Sequence, residues 1–158
     1  MPGSKTAERT PGDALGAEIL RHALRVAAEK ASLLVVRSGH SVMLAEGADA
    51  CAALLDARGQ LVSLSTATNL MHASSLRSSL PALLEDHPLA TQRPGDVFVM
   101  NDVYRGGIHA NDLLIFRPIF VDGEVAYFAG TLIHVADLGG VSAGGLAANA
   151  TDVFWEGL

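Results

Sequence analysis

Apolar side chains in the first quarter of the chain recur at spacings of three and four residues. This spacing places them on one side of an α-helix, and it predicts an amphipathic helix that begins with Asp13 as its N-cap and ends near Val36. The residues of this stripe are Ile19, Leu20, Ala23, Leu24, Ala27, Ala31, Leu34 and Val35. Residues 1–12 lack such a period, so we expect a flexible arm there and a single domain over residues 13–158.

Shorter apolar runs follow this helix. Residues 52–57 and 61–65 are separated by Arg58-Gly59-Gln60, which predicts a β-hairpin with a glycine-containing turn. A second helix is predicted over residues 70–85. Pro81 falls inside it, and we expect this proline to kink the helix or to split it.

The last third of the chain is rich in glycine and in strand-like runs. A short strand is predicted over residues 97–100, and two longer strands over residues 113–121 and 124–135, joined by Asp122-Gly123. Pro118 predicts a sheet edge or a bulge in the first long strand. The predicted fold class is therefore α+β, with an N-terminal helix and a mainly antiparallel sheet built from hairpins.

Composition narrows the classes of function. Eleven Lys and Arg residues against seventeen Asp and Glu give a formal net charge of −6, and without a basic cluster we expect no nucleic-acid ligand. The sequence has no signal-peptide pattern and no apolar run of the roughly 18 residues that a membrane helix needs, so we expect a cytoplasmic protein. A single cysteine, Cys51, excludes an internal disulfide and a Cys-rich zinc site.

The long hairpin brings chemistry-bearing side chains to one end. A two-residue turn between its strands would pair His134 with Asn111 and Ile133 with Asp112. His109 and His134 would then lie diagonally across the ladder on one face. Asp112 has the wrong parity to join that face, so the backbone must turn or bulge just before it.

Two imidazoles and a carboxylate form the ligand set of a Zn, Mn or non-haem Fe site with positions left open. His109, Asp112 and His134 are therefore candidate metal ligands, and Asp137 is a possible fourth ligand or an acceptor that orients His134. The alternative stays open that both histidines are ordinary polar residues at strand ends, because H-x-x-D spacing occurs by chance in many proteins.

Glycine-rich segments give a weaker signal. Residues 101–107 combine a polar dipeptide with Gly106-Gly107, which is typical of a tight loop near a ligand or of a plain glycine turn. The sequence contains no phosphate-loop pattern and no G-x-G-x-x-G motif, so we expect no nucleotide site on this chain. His72 and Asp49 are interpreted as structural residues.

Three segments resemble motifs of the hydantoinase B/oxoprolinase family. Residues 101–112, NDVYRGGIHAND, resemble its ND-P-Y-x-GG-T-H-x-x-D segment. Residues 133–140, IHVADLGG, resemble its H-x-x-D-[IV]-GG segment, and residues 150–158, ATDVFWEGL, resemble its A-T-[ED]-[IV]-F-x-EGL run. The order of the upstream segments also matches, so nearly the whole chain is covered.

The resemblance implies a component of an ATP-dependent complex that hydrolyses lactams. An A-type partner subunit would bind ATP and phosphorylate the substrate carbonyl, and the B-type subunit would carry out the next step. A divalent metal in the B-type subunit would be held by His109, Asp112 and His134. Asp102 and Asp137 would support the site as catalytic residues.

The resemblance also leaves alternatives. The chain could belong to an acetone- or acetophenone-carboxylase-like enzyme that acts on a ketone, or it could be a non-catalytic assembly module that keeps the fold. Family members are several times longer, so the chain resembles only their N-terminal portion. We therefore expect a domain truncated at its C-terminus, with the remaining B-type polypeptide as a further partner.

Overall fold

The fold is described by a computed structural model that covers residues 11–66 and 69–157. Helices and strands follow in the order α1 Pro11–Ser38, α2 Val42–Ala45, β1 Ala50–Asp56, β2 Leu61–Leu64, α3 Leu70–Asp86, β3 Phe98–Met100, β4 Asp112–Val121 and β5 Glu124–His134. Short 3-10 helices span Leu89–Thr91, Val103–Arg105 and Val153–Glu156. This arrangement confirms the predicted α+β class.

One antiparallel sheet organises the domain, with the strand order β2-β1-β5-β4-β3. Side chains alternate between its two faces, as the pleat requires. The face that packs against α3 carries the core, and its fully buried members include Leu55, Phe116, Phe128 and Leu132. At one end of this face lie the buried polar residues Asp112 and His134, directly beside the hydrophobic core.

Helix α1 lies across the other face, over β1 and β2. The buried Ser32 hydroxyl accepts a hydrogen bond from the Ala52 backbone N–H at 2.9 Å. This bond ties the helix to the strand. Among the described residues, no helix combines the length and the apolar character needed to span a lipid bilayer.

The predicted start of α1 is three residues too late, because an N-cap at Asp13 would make Ala14 the first helical residue. Pro11 and Gly12 belong to the helix, and Asp13 lies in its first turn instead of capping it. A proline in the first helical turn is compatible with this, since the N–H that it lacks would have no partner there. Residues 1–10 of the expected arm lie outside the described residues.

Two prolines lie inside regular elements, Pro81 in α3 and Pro118 in β4. Helix α3 runs unbroken through Pro81, so the expected split is absent. Pro81 packs beside Gly59 in the β1–β2 turn, where a Cβ would lie 3.1 Å from the proline Cδ. Pro118 lies in a strand that has neighbours on both sides, but β3 stops opposite Phe116, so β4 forms a local edge at the proline.

A bulge in the long hairpin corrects the predicted register. The turn Asp122-Gly123 has positive φ at both residues, 51° and 87°, as a two-residue type I′ turn requires. The pairing then shifts between Ile119 and Phe120, which leaves an extra residue on β5. Asp112 consequently pairs with His134, and the predicted partner Ile133 is wrong by one position.

Candidate metal centre

The last pair of the β4–β5 ladder forms the base of the site. Asp112 and His134 face each other there on the core side of the sheet, and the His134 Nδ1 atom lies 2.8 Å from Asp112 Oδ1. Asp112 is fully buried and His134 is 7% exposed. A buried carboxylate is costly unless it is paired, so this position selects for cationic or hydrogen-bond-donating neighbours.

His109 reaches the same carboxylate from a turn. Its backbone N–H donates to Asp112 Oδ2 at 2.9 Å, and the Asp112 N–H donates back to the His109 carbonyl at 3.1 Å. The His109 Nδ1 atom lies 3.3 Å from Asp112 Oδ2. The predicted turn before Asp112 is therefore present, but His109 does not lie on the strand, because β4 begins only at Asp112.

The two imidazole rings close the cluster. The ring centroids of His109 and His134 are 5.3 Å apart, and the rings are nearly perpendicular at 88°. The His109 side chain is 45% exposed, whereas the other two members are buried. The cluster is therefore closed toward the core and open on the His109 side.

This donor set fits a divalent cation. One ligand atom from each of His109, Asp112 and His134 can be chosen so that all three lie within 4.8 Å of one another. Within residues 11–66 and 69–157 this is the only group of three or more His, Cys, Asp or Glu side chains with that property. Two nitrogens and one carboxylate oxygen suit Zn, Mn or Fe, and three protein ligands leave positions for water or substrate.

Asp137 lies in the loop after β5. Its carboxylate accepts hydrogen bonds from the backbone N–H groups of Gly144 at 2.9 Å and Gly139 at 2.7 Å. These bonds hold the pKa of the Asp137 carboxyl below its usual range. None of its described bonds reaches His134, so Asp137 shapes the loop that follows the site.

Asp102 lies in the loop before the site. It caps the 3-10 helix Val103–Arg105 by accepting from the Tyr104 N–H at 2.8 Å. Asn101 donates from Nδ2 to the Ala110 carbonyl at 3.0 Å, which links this loop to the turn that carries His109. The loop also lines a cleft of about 440 Å³, with the exposed aromatic rings of Tyr104 and Phe154 on its walls.

Arg105 anchors that loop to the C-terminal end of α3. Its guanidinium donates to the Asp86 carboxylate and to the Ala82 carbonyl in the last turns of the helix. The hydrogen bond from Arg105 lowers the pKa of the Asp86 carboxyl, and the same bond raises the pKa of Arg105. The loop before His109 is thus fixed to the core helix.

His72 and Asp49, which the sequence suggests are structural residues, form an acid–imidazole pair beside the cluster that was not predicted. His72, in the first turn of α3, is 2% exposed, and its Nε2 lies 3.2 Å from Asp49 Oδ1. The Asp49 carbonyl accepts from the His134 N–H at 3.0 Å. The alternation of side chains along β1 could have predicted the position of Asp49, because this residue is two before the buried Cys51 and so falls on the core side.

Comparisons with known proteins identify the family and the fold of the chain. The family model described as hydantoinase B/oxoprolinase matches residues 13–158. The acetophenone carboxylase delta subunit of Aromatoleum aromaticum is 32% identical over 78% of the chain, and a 5-oxoprolinase of Dictyostelium discoideum is 25% identical over 98%. The fold of the ATP-dependent caprolactamase of Pseudomonas jessenii superimposes on 94% of the chain, with a TM-score of 0.76 at 23% identity.

These relatives are much longer than the chain. The chain spans 18% of the carboxylase subunit, 12% of the oxoprolinase and 25% of the caprolactamase chain. The chain therefore matches one part of each relative. The chain belongs to the hydantoinase B/oxoprolinase family and corresponds to a portion of that family's longer members.

Proposed function

We propose that the chain is the metal-binding component of an ATP-dependent complex that hydrolyses a cyclic amide, as in hydantoinases and oxoprolinases. The observation that carries this proposal is the convergence of His109, Asp112 and His134 within 4.8 Å in a chain of this family. In the proposal these three residues are the metal ligands. Asp102 and Asp137 support them by shaping the loops on either side of the site.

The burial of the site fits this role. The fully buried Asp112 carboxylate supplies the negative charge that favours a cation, and the two imidazoles supply neutral nitrogen ligands. A divalent ion held there would supply Lewis acidity, which polarises a carbonyl oxygen or lowers the pKa of water. The exposed side of His109 leaves the approach for a small substrate open.

The partners follow from the chemistry of the substrate. Opening a lactam needs an activated carbonyl, and phosphorylation of the carbonyl oxygen turns it into a leaving group. The sequence holds no phosphate-loop motif. The proposal therefore assigns ATP to an A-type partner subunit, and it assigns the rest of the substrate site to the remaining B-type polypeptide.

A second candidate function is ATP-dependent carboxylation of a ketone. It is supported by the 32% identity to the acetophenone carboxylase delta subunit. The same three ligands would serve both reactions. Polarisation of a carbonyl is useful for attack by water and for reaction with bicarbonate.

Metal content tests the proposed centre. The chain is purified without a metal-chelating tag, and bound Zn, Mn and Fe are measured by mass spectrometry. We expect about one ion per wild-type chain and loss of the ion in His109→Ala and His134→Ala. His22→Ala is the matched control, because His22 lies on the exposed part of α1. A folded wild-type chain without metal, or unchanged metal in both site variants, would contradict the proposal.

Turnover separates the two reactions. The chain is combined with its A-type partner and the remaining B-type polypeptide, then given ATP with either a lactam or a ketone plus labelled bicarbonate. Lactam opening that His109→Ala abolishes supports the hydrolase, and label incorporation that it abolishes supports the carboxylase. A complex that turns over at the wild-type rate with His109→Ala would favour a non-catalytic assembly role for this chain.

A further inference from the structure

Asn111 is a buried amide between the two halves of the site. It is 1% exposed, and it directly precedes the ligand candidate Asp112. We propose that Asn111 is a positioning residue, which fixes the separation of Asp112 from His134 and thereby sets the affinity of the centre for its metal. This inference rests on the proposed metal site.

Two hydrogen bonds tie Asn111 to Val135, the residue after His134. The Val135 N–H donates to the Asn111 carbonyl at 2.9 Å, and Asn111 Nδ2 donates to the Val135 carbonyl at 3.0 Å. A regular antiparallel pair would exchange two main-chain bonds here. The side-chain amide replaces one of those donors, because the backbone before Asp112 has already left the strand to form the turn of His109.

These two hydrogen bonds matter because they lie at the end of the β4–β5 ladder. Asp112 and His134 form the last regular pair of β4 and β5, and terminal pairs fray unless something holds them. The two Asn111–Val135 hydrogen bonds add one more bonded pair beyond it. They therefore hold the carboxylate and the imidazole together even when no metal links them.

The amide is also fixed from the solvent side. Gly145 has a φ of +67°, and a Cβ at this residue would lie 2.7 Å from Asn111 Nδ2 and 2.8 Å from Oδ1. Only glycine allows the loop to lie this close. The loop is held in shape by Asp137, which binds the Gly144 N–H. Asp137 thus contributes to the site through Asn111.

The Asn111 Oδ1 atom shows how the amide is oriented. It is buried and has no hydrogen-bond partner among the described residues. A buried carbonyl oxygen without a hydrogen-bond donor costs free energy. The amide keeps this orientation because it allows Nδ2 to donate to the Val135 carbonyl. A residue present only to fill volume would need no amide here.

The test uses Asn111→Leu, which keeps a similar volume and removes the amide donor. The matched control is Asn149→Leu, the same change at an exposed position of the same chain. Binding of Co²⁺ is followed by its visible absorption. We expect Asn111→Leu to weaken Co²⁺ binding by roughly 10- to 100-fold and to shift the absorption bands, because outer residues that orient metal ligands have effects of this size. The control should bind Co²⁺ with wild-type affinity.

A second readout does not depend on metal. In the chelator-treated protein, the ¹H–¹⁵N NMR signals of the His134 ring report its contact with Asp112. We expect Asn111→Leu to move these signals and Asn149→Leu to leave them in place. If Asn111→Leu does not fold, Gly145→Ala carries both measurements, since its Cβ displaces the Asn111 amide.

The outcomes separate the two proposals. Wild-type affinity and unmoved His134 signals in the folded variant would overturn the role of Asn111 while leaving the metal centre intact. A wild-type chain that binds no Co²⁺ would overturn the proposed metal function, and the His134 signals would then decide the positioning role by themselves. A lowered thermal midpoint with unchanged affinity and unchanged signals would also refute positioning.

Discussion

Replacing Asp112 with asparagine is the sharpest perturbation of the proposed centre, because it removes the charge and keeps the shape. The carboxylate accepts the His109 N–H at 2.9 Å and lies 2.8 Å from His134 Nδ1. An amide offers one acceptor and one donor group, so it can satisfy only one of these contacts unchanged. We expect the metal-free variant to lose about 1 kcal/mol of stability.

The larger effect is on metal-linked stability. A ligand that binds only the folded state at 100 times its Kd stabilises the protein by about 2.7 kcal/mol. Outer residues alone change metal affinity by about 10- to 100-fold, so loss of a direct ligand should weaken it by about 100-fold or more. At the same metal concentration the gain in Asp112→Asn then falls to about 0.4 kcal/mol.

The assay is thermal or urea unfolding with EDTA and with excess Zn²⁺. For a domain of this size, a gain of 2.7 kcal/mol raises the unfolding midpoint by about 5 to 11 °C. Asp122→Asn is the matched control, because it removes the same charge from an exposed turn where asparagine is favoured at positive φ. If Asp112→Asn gains as much stability from Zn²⁺ as the wild type, Asp112 is not a ligand.

Three further predictions concern the supports of the site. Ser32→Ala leaves the buried Ala52 N–H without its partner, so we expect a loss of about 1 to 3 kcal/mol in urea unfolding. The lowered pKa of Asp137 means that its ionised form stabilises the loop above about pH 4 and that this contribution is lost as the pH falls further. The protection factors of the loop amides, which are corrected for the intrinsic pH dependence of exchange, should therefore fall in acid. They should fall less in Asp137→Ala, whose loop is already loose at neutral pH. Arg105→Ala should speed exchange in residues 103–107 while leaving the midpoint of global unfolding in place, because its ion pair is exposed.

Each of these predictions has a result that would contradict it. Ser78→Ala, on the exposed side of α3, is the control for Ser32→Ala, and equal stability of the two variants would refute a structural bond at Ser32. Protection factors in the Asp137 loop that do not change with pH would show that its carboxylate does not order the loop. A large drop in the unfolding midpoint of Arg105→Ala would show that the loop before His109 is part of the cooperative core.

The parts of the fold that the sequence predicted are those decided by local chemistry. Asp122-Gly123 supplies the positive φ angles of a tight turn, and the apolar alternation on either side supplies the strands. The hairpin before α3 followed from Gly59 in the same way. In each case the deciding interaction lies within a few residues, so the pattern carries it.

The parts that could not be predicted depend on distant contacts. Helix α3 continues through Pro81 because the residues on both sides of the proline pack onto the same sheet. The approach of Asp49 to His72 and His134 depends on the pairing of β1 with β5, two strands far apart in sequence. Periodicity shows which face a residue occupies, but it does not show which strand lies beside it.

The bulge near the turn has a consequence for how this centre tolerates changes in chain length. Eight consecutive pairs separate it from the far end of the ladder, from Ile119–Tyr127 to Asp112–His134. Loss or gain of one residue anywhere in this stretch would rotate every later side chain to the opposite face, and His134 would leave the carboxylate for solvent. Removing Ala126, the surplus residue itself, would instead give a regular hairpin that still ends in the same pair. The pairing of Asp112 with His134 therefore depends on the number of residues in the two strands more than on the identity of most side chains along them.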